Sequence, residues 1–367
     1  MKPTTNDAMQ RRTWLPILLT GILIAGQTSS AAIRWGGDIL KQKPEWYASA
    51  EAQAAADNVL RYQSEADAWP KNTDLLVAPS EAVLAEIRKD GRADTIDNGA
   101  TTVPMRFLAL VANATQEGEA YRAGVLRGLE YLLAAQYPNG GFPQFFPQRP
   151  KGYYSRITYN DGAMIHVLEL LRDVADGRAP FGFVDAGRRS RSAKAVASGI
   201  DCILKTQVKQ DGQLTAWCAQ HEEKTLEPAW ARAYEPPSLS GSESVGVVRF
   251  LMFIENPSPE VIAAVDGAVT WLRKVPIRGQ RLDERRNADG RKERVLVPDP
   301  AAPPLWARFY ELGTNKPMYM DRDSKPNYEF NKVSYERRSG YGYHSTAPTS
   351  LLDRDYPAWR AKIVRNP

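Results

Sequence analysis

Cysteine and histidine are scarce in this 367-residue sequence: Cys202 and Cys218 are the two cysteines, and His166, His221 and His344 the three histidines. With no paired-cysteine motif and so few imidazoles, a zinc or iron site is not expected. One disulfide is the most the chain can form. In an oxidising compartment Cys202 and Cys218 pair; otherwise they stand as two buried thiols. Charge of one sign is not concentrated either. The formal net charge is +5, with no basic stripe, which argues against a nucleic-acid surface and leaves a mild excess suited to an acidic ligand. The one long apolar run, 15–26, is too short to span a bilayer.

That run follows Lys2, Arg11 and Arg12 and precedes the small residues Ser29, Ser30, Ala31 and Ala32. The order is that of a secretory signal peptide, so residues 1–32 are expected to be removed and 33–367 to act as a single exported domain. Removing Lys2, Asp7, Arg11 and Arg12 takes the formal charge to +3.

Apolar residues then recur in blocks. Val125, Leu129, Leu132, Leu133 and Gln136 return 71 positions later as Val196, Ile200, Ile203, Leu204 and Gln207. They also match Ala52, Ala56, Val59, Leu60 and Gln63, 73 positions earlier, and a looser copy covers 261–275. This spacing is one apolar helix face, and each copy ends in turn-forming residues. Between the copies lies a second set, carried by Val103, Phe107, Leu108 and Val111, then Met164, Val167, Leu168 and Leu171, then Val247, Phe250, Leu251 and Ile254. Repeated helical hairpins of this size bury their faces by stacking or by closing a ring. The expected fold is all-α, a single toroid or partial barrel of repeated helical hairpins, with a charged β-hairpin excursion around Asp289-Gly290.

Loops at one end of such a ring hold polar side chains. TIDN (95–98), YND (159–161) and the segment 232–242 precede the three helices of the second set. Helix N-capping alone accounts for Asp97, Asn98, Asn160 and Asp161. Gathered at one end, the same oxygens suit a hard cation, calcium in particular. The loop 225–244 carries Trp230, Tyr234, Glu227, Glu235 and a lone cation, Arg232. Such a collection between rigid helices marks either a surface salt bridge or a site.

WPKNTD (69–74), TIDNGATT (95–102), QYPNGGFPQFFP (136–147), ITYNDGAM (157–164), WARAYE (230–235), WARFYEL (306–312) and MDRD (320–323) together resemble the polysaccharide lyase family 10 pectate lyases, in order and over about 35–350. The resemblance implies an (α/α)₃ toroid and calcium-dependent β-elimination of polygalacturonate; the leader, the charge balance and the short apolar run add a secreted or periplasmic protein, expected to be a monomer, without membrane or nucleic-acid partners. It implies Arg232 as the catalytic base, Asp97, Asn98 and Asp161 as calcium ligands, and Arg308, Arg322 and Lys71 as substrate-binding cations. Asp67-Ala68 stands where the family tends to have a glycine pair, just before the Lys71 loop.

The chemistry fits these residue types. Removing the proton on C5 of a uronide builds negative charge beside a carboxylate, which calcium and guanidinium groups offset. Arginine is a base only in its neutral form, and desolvation with nearby cations (calcium, Arg308, Arg322) is expected to increase that fraction. Two other readings use the same scaffold: a glycoside hydrolase with Glu227 and Asp161 as its carboxylates, or a toroid that binds acidic polysaccharide without turnover.

Overall fold

Ser49 opens helix α1 (Ala50–Arg61) by accepting the Ala52 amide on its hydroxyl, which satisfies one of the first-turn donors a helix leaves free. This computed structural model describes residues 33–116, 118–149 and 151–365, so the expected leader at 1–32 lies outside the described residues. Ser80 caps α2 (Glu81–Lys89) in the same way. Next come α3 (Thr102–Ala114), α4 (Glu119–Ala135) and α5 (Ala163–Ala175). Asp185 caps α6 (Ala186–Thr206), α7 spans Glu243–Met252, and Ser258 caps α8 (Pro259–Lys274), which has proline at its first position.

α3 packs on α4, α5 on α6 and α7 on α8, as three helical hairpins. The first helices of the hairpins neighbour one another in one row, and the second helices in another. On α5, Met164, Val167, Leu168 and Leu171 are fully buried, each worth roughly 1.5–3 kcal/mol of removed apolar surface.

The repeated glutamines are clamps. Gln63 after α1 donates to the Gly124 carbonyl of α4 at 3.0 Å, Gln136 after α4 to Ala195 of α6 at 2.8 Å, and Gln207 after α6 to Ala264 of α8 at 2.8 Å. The same amides also hold their own turns, through Asp67, Gly140 and Thr215 carbonyls. Each glutamine thus pins the end of one helix to the middle of the next. A second repeated device uses tryptophan. The indole N–H groups of Trp69, Trp217 and Trp306 donate at 2.8 Å to Val59, Ile203 and Leu272, carbonyls in the last turns of α1, α6 and α8. Last-turn carbonyls have no partner within the helix, and a buried indole needs one acceptor. Where the turn after α4 crosses α6, Gly140 is required. Its φ is +89°, and a Cβ there would lie 1.9 Å from the Ser198 carbonyl oxygen.

The all-α class does not hold. Eleven strands occur among the described residues, in five small antiparallel sheets. They are β1 (Ile157–Thr158), β2 (Lys209–Gln210), β3 (Gln213–Leu214), β4 (Gln220–His221), β5 (Gln280–Arg286), β6 (Lys292–Pro298), β7 (Trp306–Ala307), β8 (Phe309–Tyr310), β9 (Pro317–Met320), β10 (Pro326–Asn327) and β11 (His344–Ser345). β5 and β6 form the hairpin expected around Asp289-Gly290, in register from Gln280–Pro298 to Arg286–Lys292. The remainder were unexpected. β10, β9 and β8 form one sheet, β11 pairs with β7, and β1 with β4. Beyond α8 the chain builds on these strands and on the short helices α9 (Tyr335–Gly340), α10 (Ala347–Ser350) and α11 (Tyr356–Arg365). Strands of two residues are too short to show the period-2 alternation by which a sequence reveals them. They surround an aromatic core of Tyr234, Phe309, Tyr319, Phe330, Tyr341 and Tyr343.

Cys202 and Cys218 are both buried free thiols, and burial pushes the Cys202 thiol up to about 11. No helix among the described residues is long and apolar enough to cross a membrane.

Candidate active site

Two turns of the same shape carry the candidate ligands. In Ile96-Asp97-Asn98-Gly99, Asn98 is left-handed at φ +52°; in Tyr159-Asn160-Asp161-Gly162, Asp161 matches it at φ +51°. Asn and Asp tolerate this region better than other non-glycine residues. The two turns touch. Neither caps the helix that follows, since no side-chain cap bond forms at either start. The carboxylates are used elsewhere.

Asp97 is 5% exposed. Its Oδ2 accepts from Lys71 Nζ at 2.7 Å, and its buried Oδ1 has no hydrogen-bond partner. Asn98 donates to Asn72 at 3.0 Å. Lys71 also lies over the Phe145 ring, 5.1 Å from its centroid. The Asp67-Ala68 departure is accommodated: Asp67 takes φ +67°, the left-handed geometry a glycine would supply, and Ala68 is fully buried.

Arg308 joins the second turn to the C-terminal strands. It lies between β7 and β8, and its Nη2 donates to Asn160 at 3.0 Å, to Asp161 Oδ1 at 2.9 Å and to Glu243 at 2.5 Å. Burial disfavours the Arg308 charge, but Glu243, Tyr341 and Asp161 outweigh that and hold its pKa above the ordinary arginine value. Glu243 is itself fixed by Ser240, whose hydroxyl accepts the Glu243 amide at 3.1 Å and donates to its carboxylate.

Arg232 lies on the loop before α7. Its Nε donates to Glu235 Oε2 at 2.7 Å, its Nη2 to Oε1, and its backbone amide to Oε2 at 3.1 Å. Tyr341 donates to the same Glu235 at 2.8 Å. The expectation that surroundings favour neutral Arg232 is corrected here. Burial does pull its pKa down, but the bonds and charge of Glu235 win and leave it above the ordinary value.

Tyr234 and Tyr341 gather the remaining cations. The guanidinium carbons of Arg232, Arg322 and Arg337 lie 5.0, 5.4 and 4.3 Å from the Tyr234 centroid, and that of Arg308 lies 5.0 Å from Tyr341. Arg322 is exposed and pairs with Glu336 at 3.0 Å. Tyr153, pushed up to about 12 by burial, feels the charges of Arg232, Glu235 and Asp97. The structure thus brings Arg232, Arg308 and Arg322 to one aromatic floor beside the Asp161 turn, with Asp97 on the neighbouring turn and Lys71 paired to it from the 69–74 segment.

Sequence reasoning gave Glu235, Glu243 and Arg337 no role in the site, and it read Asn160 only as a cap or a cation-binding oxygen. Two had a signal: Glu235 three residues after Arg232, and Glu243 completing S-x-x-E from Ser240. The candidate donors Asp97, Asn98 and Asp161 are oxygen only, and no group of three or more His, Cys, Asp or Glu suited to a metal occurs among the described residues.

The family model for pectic acid lyases matches residues 63–352. Among curated proteins no sequence matches the chain. Solved structures do match it, two of them from the same enzyme. An Asp-to-Ala mutant of the family 10 polysaccharide lyase from Cellvibrio cellulosa, in complex with trigalacturonic acid, is 36% identical, with TM-score 0.73, covering 85% of this chain and 95% of its own. A second structure of the Cellvibrio cellulosa enzyme gives the same identity and score over 86% and 95%. A match over this share of the chain makes this protein a pectate lyase, a member of the pectic acid lyases of polysaccharide lyase family 10.

Proposed function

We propose that the enzyme cleaves polygalacturonate by calcium-assisted β-elimination with Arg232 as base, releasing unsaturated oligogalacturonides. The observation that carries this is the set of three guanidinium groups around Tyr234 and Tyr341, next to the oxygen-bearing turns. Planar forks of this kind bind carboxylates bidentately. The trigalacturonic acid bound to the Cellvibrio cellulosa relative supports a galacturonate polymer as substrate.

The turns fit a hard cation shared with substrate. Asp97 offers a buried oxygen with no partner, and Asn98 and Asp161 add further oxygens. Asp97, Asn98 and Asp161 would hold the ion. Bound calcium supplies positive charge beside the uronate carboxylate, where the transition state gains negative charge. Arg308 and Arg322 hold sugar carboxylates, and Lys71 does the same from beside the first turn, where it pairs with Asp97. The neutral fraction of Arg232 takes the C5 proton. The electron pair left on C5 forms the C4=C5 double bond as C4–O4 breaks, and the departing oxygen takes a proton from water.

The test is purified protein on polygalacturonate with calcium, then with chelator. Ultraviolet absorbance of an unsaturated uronide is expected with calcium and lost with chelator. New reducing ends without that absorbance would mean hydrolysis. The proposal includes a secreted or periplasmic monomer, with 33–367 as its one catalytic domain. N-terminal sequencing of exported material is expected to start within a few residues of Ala32, and an intact Met1 would contradict export by cleavage.

A further inference from the structure

The Arg232 side chain is 39% exposed while its partner Glu235 is 2% exposed, so the guanidinium is open to solvent on one side and meets a buried carboxylate on the other. Glu235 takes Nε, Nη2 and the backbone amide of Arg232, which leaves Nη1 without a hydrogen bond among the described residues. The loop closes on itself as well: the Glu235 amide donates to the Arg232 carbonyl at 2.8 Å, and the Ala231 amide to the Glu235 carbonyl at 3.1 Å. Behind the carboxylate, the Tyr341 hydroxyl fixes Oε1 at 2.8 Å. An ion pair that merely solvated Arg232 would not need three donors from one residue and a buried tyrosine on the far side.

We propose that Glu235, braced by Tyr341, is the positioning residue of this lyase: it aims Nη1 of Arg232 into the cleft and sets the pH range in which Arg232 works. The inference rests on the reading of Arg232 as base. Glu235 is enclosed and acts through Arg232, without touching substrate. Its carboxylate has two opposed effects. Fixing the guanidinium brings Nη1 to one approach to C5, where an error of about 1 Å costs on the order of 100-fold. The same negative charge favours the protonated guanidinium, so less neutral base exists at any pH. The charged and titratable groups facing Arg232 are Glu235 on its own loop, Tyr234 and Tyr341 against the guanidinium, and Tyr153 from the preceding segment; Arg322, Arg337 and Arg308 lie beyond those rings. Glu235 is the carboxylate in direct contact, so it controls the balance. In turnover Glu235 remains a carboxylate; the C5 proton enters at Nη1 and later leaves to solvent.

Two substitutions separate the effects, each read as kcat against pH on polygalacturonate, with trigalacturonic acid binding and melting temperature measured alongside. Glu235→Gln keeps the shape and removes the charge. Its rising limb is expected at lower pH than wild type by about one to three units, and a limb superimposed on wild type would overturn the proposal. Glu235→Asp keeps the charge and withdraws it from Arg232. The limb is then expected to move less than in Glu235→Gln, kcat to fall by about tenfold or more, and binding to stay within about twofold; wild-type kcat would overturn the proposal. If the Gln variant does not fold, the Asp variant decides alone. Arg232→Ala distinguishes the levels. A wild-type limb in Arg232→Ala sinks the base assignment itself, whereas an inactive Arg232→Ala with an unshifted Glu235→Gln sinks only the role of Glu235.

Discussion

Arg308 and Arg322 bear the same charge near the same tyrosines, yet their surroundings give them different consequences on removal. Arg308 is nearly buried and holds Asn160, Asp161 and Glu243 together. Arg308→Ala leaves Glu243 buried and unpaired, which costs about 3–5 kcal/mol of stability, besides weakening substrate binding and turnover. The Arg322 side chain is 63% exposed and pairs with an exposed Glu336. Arg322→Ala is expected to move stability by only about 0–1 kcal/mol while raising KM. Melting temperature and KM, measured on both variants, check the contrast. Asp161→Ala is expected to raise the calcium concentration needed for activity. A calcium titration unchanged from wild type would leave Asp161 as a partner of Arg308 and nothing more.

At the scale of elements, the helical hairpins were legible because amphipathic helices write a 3.6-residue period over several turns. The glutamine of each repeat was visible as a match, but its purpose was not, since it bonds a backbone carbonyl and leaves no trace in the sequence of the next helix. The strands of the C-terminal region were illegible for a related reason. β7 and β8 hold two residues each and flank Arg308, so WARFYEL reads as a motif and shows no alternation. Glu235 and Glu243 were present in the motifs, but an ion pair across a loop has no period to detect. The glutamine clamp predicts that Gln207→Ala loses about 1–3 kcal/mol, because the Thr215 and Ala264 carbonyls lose a buried donor. Gln136→Ala loses a comparable amount through Gly140 and Ala195. Urea unfolding of each variant measures it, and a wild-type midpoint would show the clamps to be idle.

For the whole molecule, the interior and the cleft both favour neutral to alkaline conditions. His221 is fully buried; its Nδ1 faces the Leu226 carbonyl at 2.9 Å and its Nε2 accepts the Cys218 amide at 3.1 Å. A second proton on the ring has no acceptor there, and burial pulls the pKa down to about 4 from 6.5. Below 6.5 the unfolded chain therefore binds the proton that the fold refuses. Stability is complete above that pH and falls as pH drops towards 4, with about 2 kcal/mol gone at pH 5. Denaturant midpoints at pH 7 and 5 measure the loss, and equal midpoints would contradict it. Arg232, held protonated by Glu235, points the same way, since its neutral fraction grows with pH. The most direct test of the mechanism is kcat of Arg232→Ala on polygalacturonate, measured alongside binding of trigalacturonic acid. The account predicts a loss of about 10²–10⁴-fold in kcat with binding within a few-fold of wild type. Turnover close to wild type would contradict it and return the base to another residue of the cleft.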